Sequence, residues 1–96
     1  MSHRVLVVDD EPDITALVAY HLAKAGFRVS TAANGNDALR AAREERPDIV
    51  VLDLMLPGVG GYDILAELRS RPETRDVGVI VLTARRDEPD RIQGLK

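Results

Sequence analysis

Two groups of carboxylates in this sequence directly follow apolar runs. Residues 5–8 lead into Asp9 and Asp10, and residues 49–52 lead into Asp53. Uninterrupted apolar runs are typical of parallel strands buried on both faces, and open α/β sheets bind ligands at the carboxyl ends of their strands. We therefore expect these three acids to meet in one crevice. Such a cluster repels itself without a cation, so a hard divalent metal is its natural companion, and a carboxylate held beside a metal can be phosphorylated.

Strand signals recur along the chain and alternate with helix signals. The strand signals are apolar or alternating runs at residues 5–8, 27–32, 49–52 and 77–82. Strands that alternate with helices predict parallel pairing through right-handed crossovers. The predicted fold class is therefore α/β: a doubly wound parallel sheet with helices on both faces.

Helix boundaries are marked by proline, glycine and a turn sequence. Pro12 suits a first helical turn, with Asp10 or Glu11 as the capping acid, and Gly26 is placed to end that helix. A second helix is predicted to begin at the turn of residues 34–37. The apolar face of the first helix is predicted to comprise Ile14, Leu17, Val18, Leu22 and Ala25. That of a third helix is predicted to comprise Tyr62, Leu65 and Leu68.

Length and composition exclude several classes of protein. The 96 residues are 45% hydrophobic and 30% charged, which predicts one domain over residues 1–96. No apolar stretch has the roughly 20 residues of a membrane helix, and no signal peptide precedes the first strand, so we expect a cytoplasmic protein with no membrane association. There are no cysteines, and the two histidines are far apart, which argues against zinc. The net charge of -3 and the scattered basic residues predict no nucleic-acid binding by this chain.

Three motifs, in order, resemble the receiver domain of bacterial two-component response regulators. They are Val-Leu-Val-Val-Asp-Asp-Glu at residues 5–11, Asp-Leu-Met-Leu-Pro-Gly at 53–58 with Gly61, and Val-Ile-Val-Leu-Thr-Ala-Arg at 79–85. Residues 74–76 and 90–95 are most similar to receivers that precede a winged-helix DNA-binding domain. The resemblance spans the whole chain, and it implies a flavodoxin-like receiver fold that lacks the last strand and helix.

The resemblance implies a magnesium-dependent phosphoacceptor. Asp53 matches the aspartate that takes a phosphoryl group from the phosphohistidine of a sensor histidine kinase. Asp10 and Asp53 match the direct Mg²⁺ ligands, the backbone carbonyl of Met55 matches the third protein ligand, and Asp9 matches the acid that holds the metal through water. Positioning and electrostatics carry most of the catalysis in such phosphoryl transfer.

Two further residues match the groups that bind the phosphoryl oxygens once they are in place. Thr83 matches the hydroxyl that turns inward to hydrogen-bond them, and the amide of Ala84 matches a further donor. The resemblance implies no conventional enzyme, but a receiver that promotes its own aspartyl phosphorylation and dephosphorylation. The added negative charge can shift a two-state loop from one arrangement to the other.

The sequence departs from the family pattern at its C-terminus. The family pattern has three further features: a fifth strand that carries a lysine, an aromatic switch residue, and a last helix. Lys96 precedes the position of that strand. We therefore expect a receiver that is incomplete at the C-terminus and has no effector domain. The fourth strand should then be an exposed apolar edge, which predicts self-association, for example as a homodimer.

Competing interpretations remain for the site and for the chain. Asp9 and Asp10 could serve only as helix-capping acids, and Thr83 could be an ordinary residue at a strand end. The whole chain could be a phosphorylation-defective receiver fragment that acts as an interaction or self-associating module. A phosphohydrolase with an aspartyl nucleophile is weaker, because such enzymes usually have a second acid two positions after the nucleophile, where this chain has Met55.

Overall fold

Four parallel strands and three helices alternate in the computed structural model, which describes residues 3–54, 56 and 60–82. The strands are β1 (Arg4–Val8), β2 (Arg28–Ala32), β3 (Ile49–Asp53) and β4 (Gly78–Leu82). The helices are α1 (Pro12–Lys24), α2 (Gly35–Glu45) and α3 (Gly61–Ser70). The strands form one sheet in the order β2-β1-β3-β4, and every neighbouring pair is parallel. The predicted doubly wound, flavodoxin-like fold is confirmed for this part of the chain.

The two faces of the sheet are covered by different helices. One core cluster joins Leu6, Val8, Val50 and Leu52 of the sheet to buried residues of α2 and α3, among them Ala38, Ala42, Ile64 and Leu68. On the opposite face, Val5, Val7 and Val51 pack against Val18, Leu22 and Phe27. Successive residues of a strand point to opposite faces, so both sets of side chains are buried and the runs are apolar throughout.

Local signals set the ends of the helices. Gly26 adopts a φ of +101° just after α1, a conformation that favours glycine, as predicted. At the start of α2, the side chain of Asn34 accepts a 2.8 Å hydrogen bond from the amide of Asp37 and caps the helix. Both of these predicted boundaries are confirmed.

The predicted apolar faces of α1 and α3 are wrong in part. In α3 the buried residues are Gly61, Ile64 and Leu68, whereas Tyr62 is 71% exposed. In α1, Leu17 is 55% exposed, and the face turned toward the sheet is formed by the half-buried residues Thr15, Val18, Ala19 and Leu22. The spacing of apolar residues is compatible with either of two neighbouring stripes on a helix. Packing against the sheet selects between them.

Candidate functional site

The acids at the carboxyl ends of β1 and β3 lie together. These strands are neighbours, with Val8 opposite Leu52, so the residues that follow in each strand emerge at the same edge of the sheet. Carboxylate oxygens of Asp9, Asp10 and Asp53 all lie within 4.8 Å of one another. The predicted convergence of these three side chains is therefore confirmed by the geometry.

The three carboxylates differ in their exposure to solvent. Asp9 is buried, with only 6% of its surface accessible, Asp53 is half-buried, and Asp10 is exposed. Burial raises the pKa of the Asp9 carboxyl above its ordinary value of 3.8, and the negative charges of Asp53, Asp10 and Glu11 raise it further. A hydrogen bond from the backbone amide of Glu11 opposes these effects. The cluster is thus a place where negative charge is unfavourable unless a cation offsets it.

The turn between β1 and α1 holds Asp9 by its backbone and its side chain. The Asp9 amide donates to the carbonyl of Ala32 at 3.1 Å, and Asp9 Oδ1 accepts from the amide of Glu11 at 2.9 Å. Glu11 occupies the N-cap position, but its side chain makes no capping hydrogen bond. The prediction that Asp10 or Glu11 caps this helix holds only for the position of Glu11, because the strand-to-helix turn brings the Asp9 carboxylate, and not an acid of the predicted pair, to the Glu11 amide.

Close contact between α3 and the end of β3 fixes the backbone beside Asp53. A Cβ atom built on Gly61 would lie 2.5 Å from Leu54 Cα and 3.0 Å from the Asp53 carbonyl oxygen, which is too close for any side chain. The amide of Gly61 also donates to the Leu54 carbonyl at 3.4 Å. Glycine at this position therefore allows the helix to pack directly against the strand end that carries Asp53.

An open crevice adjoins the acids on the side of β2. Its volume is about 500 Å³. It is lined by Asp9, Asp10, Pro12, Thr15, Ala16, Thr31, Ala32, Ala33 and Asp37. Solvent therefore reaches the cluster from this side.

The donor set of the cluster suits magnesium. It consists of carboxylate oxygens, which are the ligands that Mg²⁺ prefers, and the exposure of Asp10 leaves room for the several waters that this ion retains. Three other predicted site residues, Met55, Thr83 and Ala84, lie outside the described residues, so their roles stay predictions. One residue beside the cluster was missed by the sequence analysis: the Thr15 hydroxyl donates to the carbonyl of Asp9 at 3.2 Å. The sequence does not show which carbonyl a helical threonine contacts.

An α/β sheet with helices on both faces and with carboxylates gathered at the carboxyl ends of adjacent parallel strands defines a class of ligand-binding domains. The profile of the response regulator receiver domain matches residues 5–96. The chain belongs to this receiver family, and the resemblance drawn from the sequence is confirmed.

Curated relatives support the same assignment. The chain is 42% identical over 95 residues to the phosphate regulon transcriptional regulatory protein PhoB of Rhizobium meliloti (strain 1021). It is 40% identical over 96 residues to the alkaline phosphatase synthesis transcriptional regulatory protein PhoP of Bacillus subtilis (strain 168). These alignments cover 99% and 100% of this chain but 42% and 39% of the relatives. The chain thus spans about two fifths of the length of each relative.

A solved structure resembles the chain in both fold and sequence. The receiver domain of the sensor histidine kinase PA1611 from Pseudomonas aeruginosa PAO1 superposes with a TM-score of 0.84 at 33% identity, covering 96% of this chain and 75% of that one. That structure contains a magnesium ion coordinated in the active site cleft.

No helix in the described part of the chain is both long and apolar enough to span a membrane.

Proposed function

We propose that this chain is a magnesium-dependent phosphoacceptor module in which Asp53 receives a phosphoryl group from a sensor histidine kinase. The observation that carries the proposal is the meeting of three carboxylates, with oxygens within 4.8 Å of one another, at the edge of the sheet where Asp53 ends β3. Membership in the receiver family supports the same function. The kinase as partner and the cytoplasmic location stay part of this proposal.

Asp53 is the nucleophile in this proposal. One of its carboxylate oxygens attacks the phosphorus of the donor phosphohistidine, an O–P bond forms, the N–P bond breaks, and the electron pair of that bond returns to the imidazole. Asp53 suits the role because it is half-buried at a strand end, where the backbone holds it in place while one side stays accessible to the donor.

Asp10, Asp53 and the carbonyl of Met55 would hold Mg²⁺ directly, and Asp9 would hold it through water. A bound ion would supply positive charge beside the phosphoryl oxygens, where negative charge develops during transfer. The buried Asp9 supplies negative charge that attracts the cation, and the exposed Asp10 faces the solvent from which the cation arrives. Thr83 and Ala84 are proposed to donate hydrogen bonds to the transferred group.

Intact mass spectrometry tests the proposal. The protein is incubated with a small-molecule phosphodonor, with Mg²⁺ or with a chelator, and the expected result is a mass gain of one phosphoryl group that requires Mg²⁺. Asp53→Asn should abolish the gain. Asp13→Asn is the matched control, because it makes the same chemical change at an exposed position in the first turn of α1, and it should be phosphorylated normally.

Two results would contradict the proposal. One is the absence of any adduct on protein that circular dichroism shows to be folded, which would favour the interaction module. The other is an adduct that persists in Asp53→Asn, which would place the phosphoryl group on a different residue.

A further inference from the structure

Three hydrogen bonds hold Asp9 in place, and one of them is donated by the side chain of another residue. Its amide donates to Ala32 of the neighbouring strand, and its Oδ1 accepts from the amide of Glu11. Its carbonyl oxygen accepts from the hydroxyl of Thr15 at 3.2 Å. The first contact joins two backbone groups, and the second pairs the Asp9 carboxylate with a backbone amide, whereas the third depends on the identity of residue 15.

Thr15 lies in the first part of α1 and faces the sheet. Its hydroxyl is also 3.1 Å from the carbonyl of Glu11, four residues earlier, which is a common contact for a threonine inside a helix. The contact with Asp9 spans six residues and reaches outside the helix, into the turn that carries the acids. The single hydroxyl proton is therefore shared between the two carbonyls that bracket Asp10.

The position of Asp10 depends on that turn. Within the described part of the chain, no side-chain hydrogen bond holds the exposed Asp10 carboxylate, so its placement is set by the backbone. The Asp9 carbonyl belongs to the peptide group that joins Asp9 to Asp10. A hydrogen bond that fixes this carbonyl restricts rotation of the peptide plane and so restricts the direction in which Asp10 leaves the strand.

We propose that Thr15 is a positioning residue for the metal site, because its hydroxyl clamps the Asp9 carbonyl and thereby orients Asp10 toward the cation. This inference rests on the proposed function, since it assumes that the three acids bind Mg²⁺. Groups that orient metal ligands commonly change metal affinity by about 10- to 100-fold when they are removed. Because one shared proton is involved here, the expected loss is about tenfold.

Isothermal titration calorimetry with Mg²⁺ tests the inference on the full chain. Thr15→Val keeps the shape of the side chain and removes the hydroxyl, Thr15→Ala removes it with a different shape, and Thr15→Ser retains it. Thr31→Val is the matched control, because Thr31 is an exposed threonine that lines the same crevice. All titrations are run at a temperature at which circular dichroism shows every variant to be folded.

The expected result is about tenfold weaker Mg²⁺ binding by Thr15→Val and Thr15→Ala, with Thr15→Ser and Thr31→Val close to the unmodified chain. If Thr15 had a merely structural role, its variants would lose thermal stability, but Thr15→Ser and Thr15→Val would not differ in Mg²⁺ affinity. Unchanged affinity in both Thr15→Val and Thr15→Ala would overturn the inference, and so would an equal loss in Thr15→Ser or Thr31→Val. If the unmodified chain itself does not bind Mg²⁺, the proposed function fails, and that result is distinct from either of these.

Discussion

At the scale of single residues, the acidic site is shaped by one buried carboxylate. Asp9 is buried beside Asp10 and Asp53, and its pKa is raised mainly by burial. Its folded form therefore holds a proton at pH values where the unfolded chain has already lost it. A site of this kind stores unfavourable electrostatic energy that cation binding can release.

This shift predicts the direction of the pH dependence of stability without metal. Since the native state binds the proton more tightly, the contribution of Asp9 to the free energy of unfolding falls as pH rises from 3.8 through the raised pKa. Asp9→Asn, which carries no charge, should remove this decline and be more stable than the unmodified chain at neutral pH in a chelator. Urea unfolding between pH 4 and pH 7 measures the difference.

Asp48 provides a control of opposite sign. Its pKa is lowered, chiefly by a hydrogen bond from the Arg4 amide and also by His3, at the far end of the sheet from the metal site. Its contribution to stability is therefore present above pH 3.8 and is lost as pH falls through the lowered pKa. Asp48→Asn should remove this stabilising contribution above pH 3.8 and leave Mg²⁺ affinity unaltered. A stability difference between Asp9→Asn and the unmodified chain that does not vary with pH would contradict the assignment for Asp9.

At the scale of elements, the packing of α3 on the end of β3 sets the backbone of Asp53. Gly61→Ala would place a methyl group 2.5 Å from Leu54 Cα, so the helix or the strand end must move. Overpacking of this kind costs about 1–3 kcal/mol. We expect Gly61→Ala to lower the free energy of unfolding by that amount and also to weaken Mg²⁺ binding, because the displaced backbone carries Asp53.

The preceding glycine is the matched control. A Cβ atom on Gly60 would lie 3.8 Å from the nearest atom, an Asp63 carboxylate oxygen, which is an ordinary contact, and the Gly60 φ of -70° suits any residue. Gly60→Ala should therefore stay within about 1 kcal/mol of the unmodified chain. Urea unfolding and magnesium titration of the two variants check this contrast. Equal behaviour of Gly60→Ala and Gly61→Ala would show that the contact with Leu54 does not constrain the site.

At the scale of the whole molecule, the sequence predicted the sheet better than the orientation of its helices. The two central strands were evident because side chains on both faces of β1 and β3 are buried, which gives continuous apolar runs at residues 5–8 and 49–52. The convergence of Asp9, Asp10 and Asp53 followed from the rule that parallel strands end at one edge. The inward faces of α1 and α3 did not follow, because large side chains such as Leu17 and Tyr62 also fit an apolar helical stripe, and only packing shows that they are exposed.

The contacts that support the site were also beyond the sequence. Nothing in the residue types indicates that Thr15 reaches the carbonyl of Asp9, or that Gly61 contacts Leu54, because both contacts depend on the angle at which a helix follows the strand before it. Sequence identifies the acids that carry charge, and the tertiary structure determines which neighbours hold them.

Exposed apolar residues on β4 bear on the association of whole molecules. In the described sheet β4 pairs only with β3, and Ile80 and Val81 are 53% and 37% exposed. An apolar edge strand can pair with another chain, so we expect self-association, with sedimentation coefficients that rise with protein concentration. Ile80→Lys should reduce this dependence, because a charged side chain at the edge opposes strand pairing.

Leu17→Lys tests whether association comes from pairing at the β4 edge or from exposed apolar surface in general. Leu17 is 55% exposed on α1, which packs chiefly against β1 and β2, and its replacement makes the same gain of charge on a helix instead of on the edge strand. If strand pairing drives association, Leu17→Lys should sediment like the unmodified chain while Ile80→Lys shifts toward the monomer. A compact monomer at high concentration of the unmodified chain would contradict the prediction, and an equal effect of both variants would trace association to general apolar exposure.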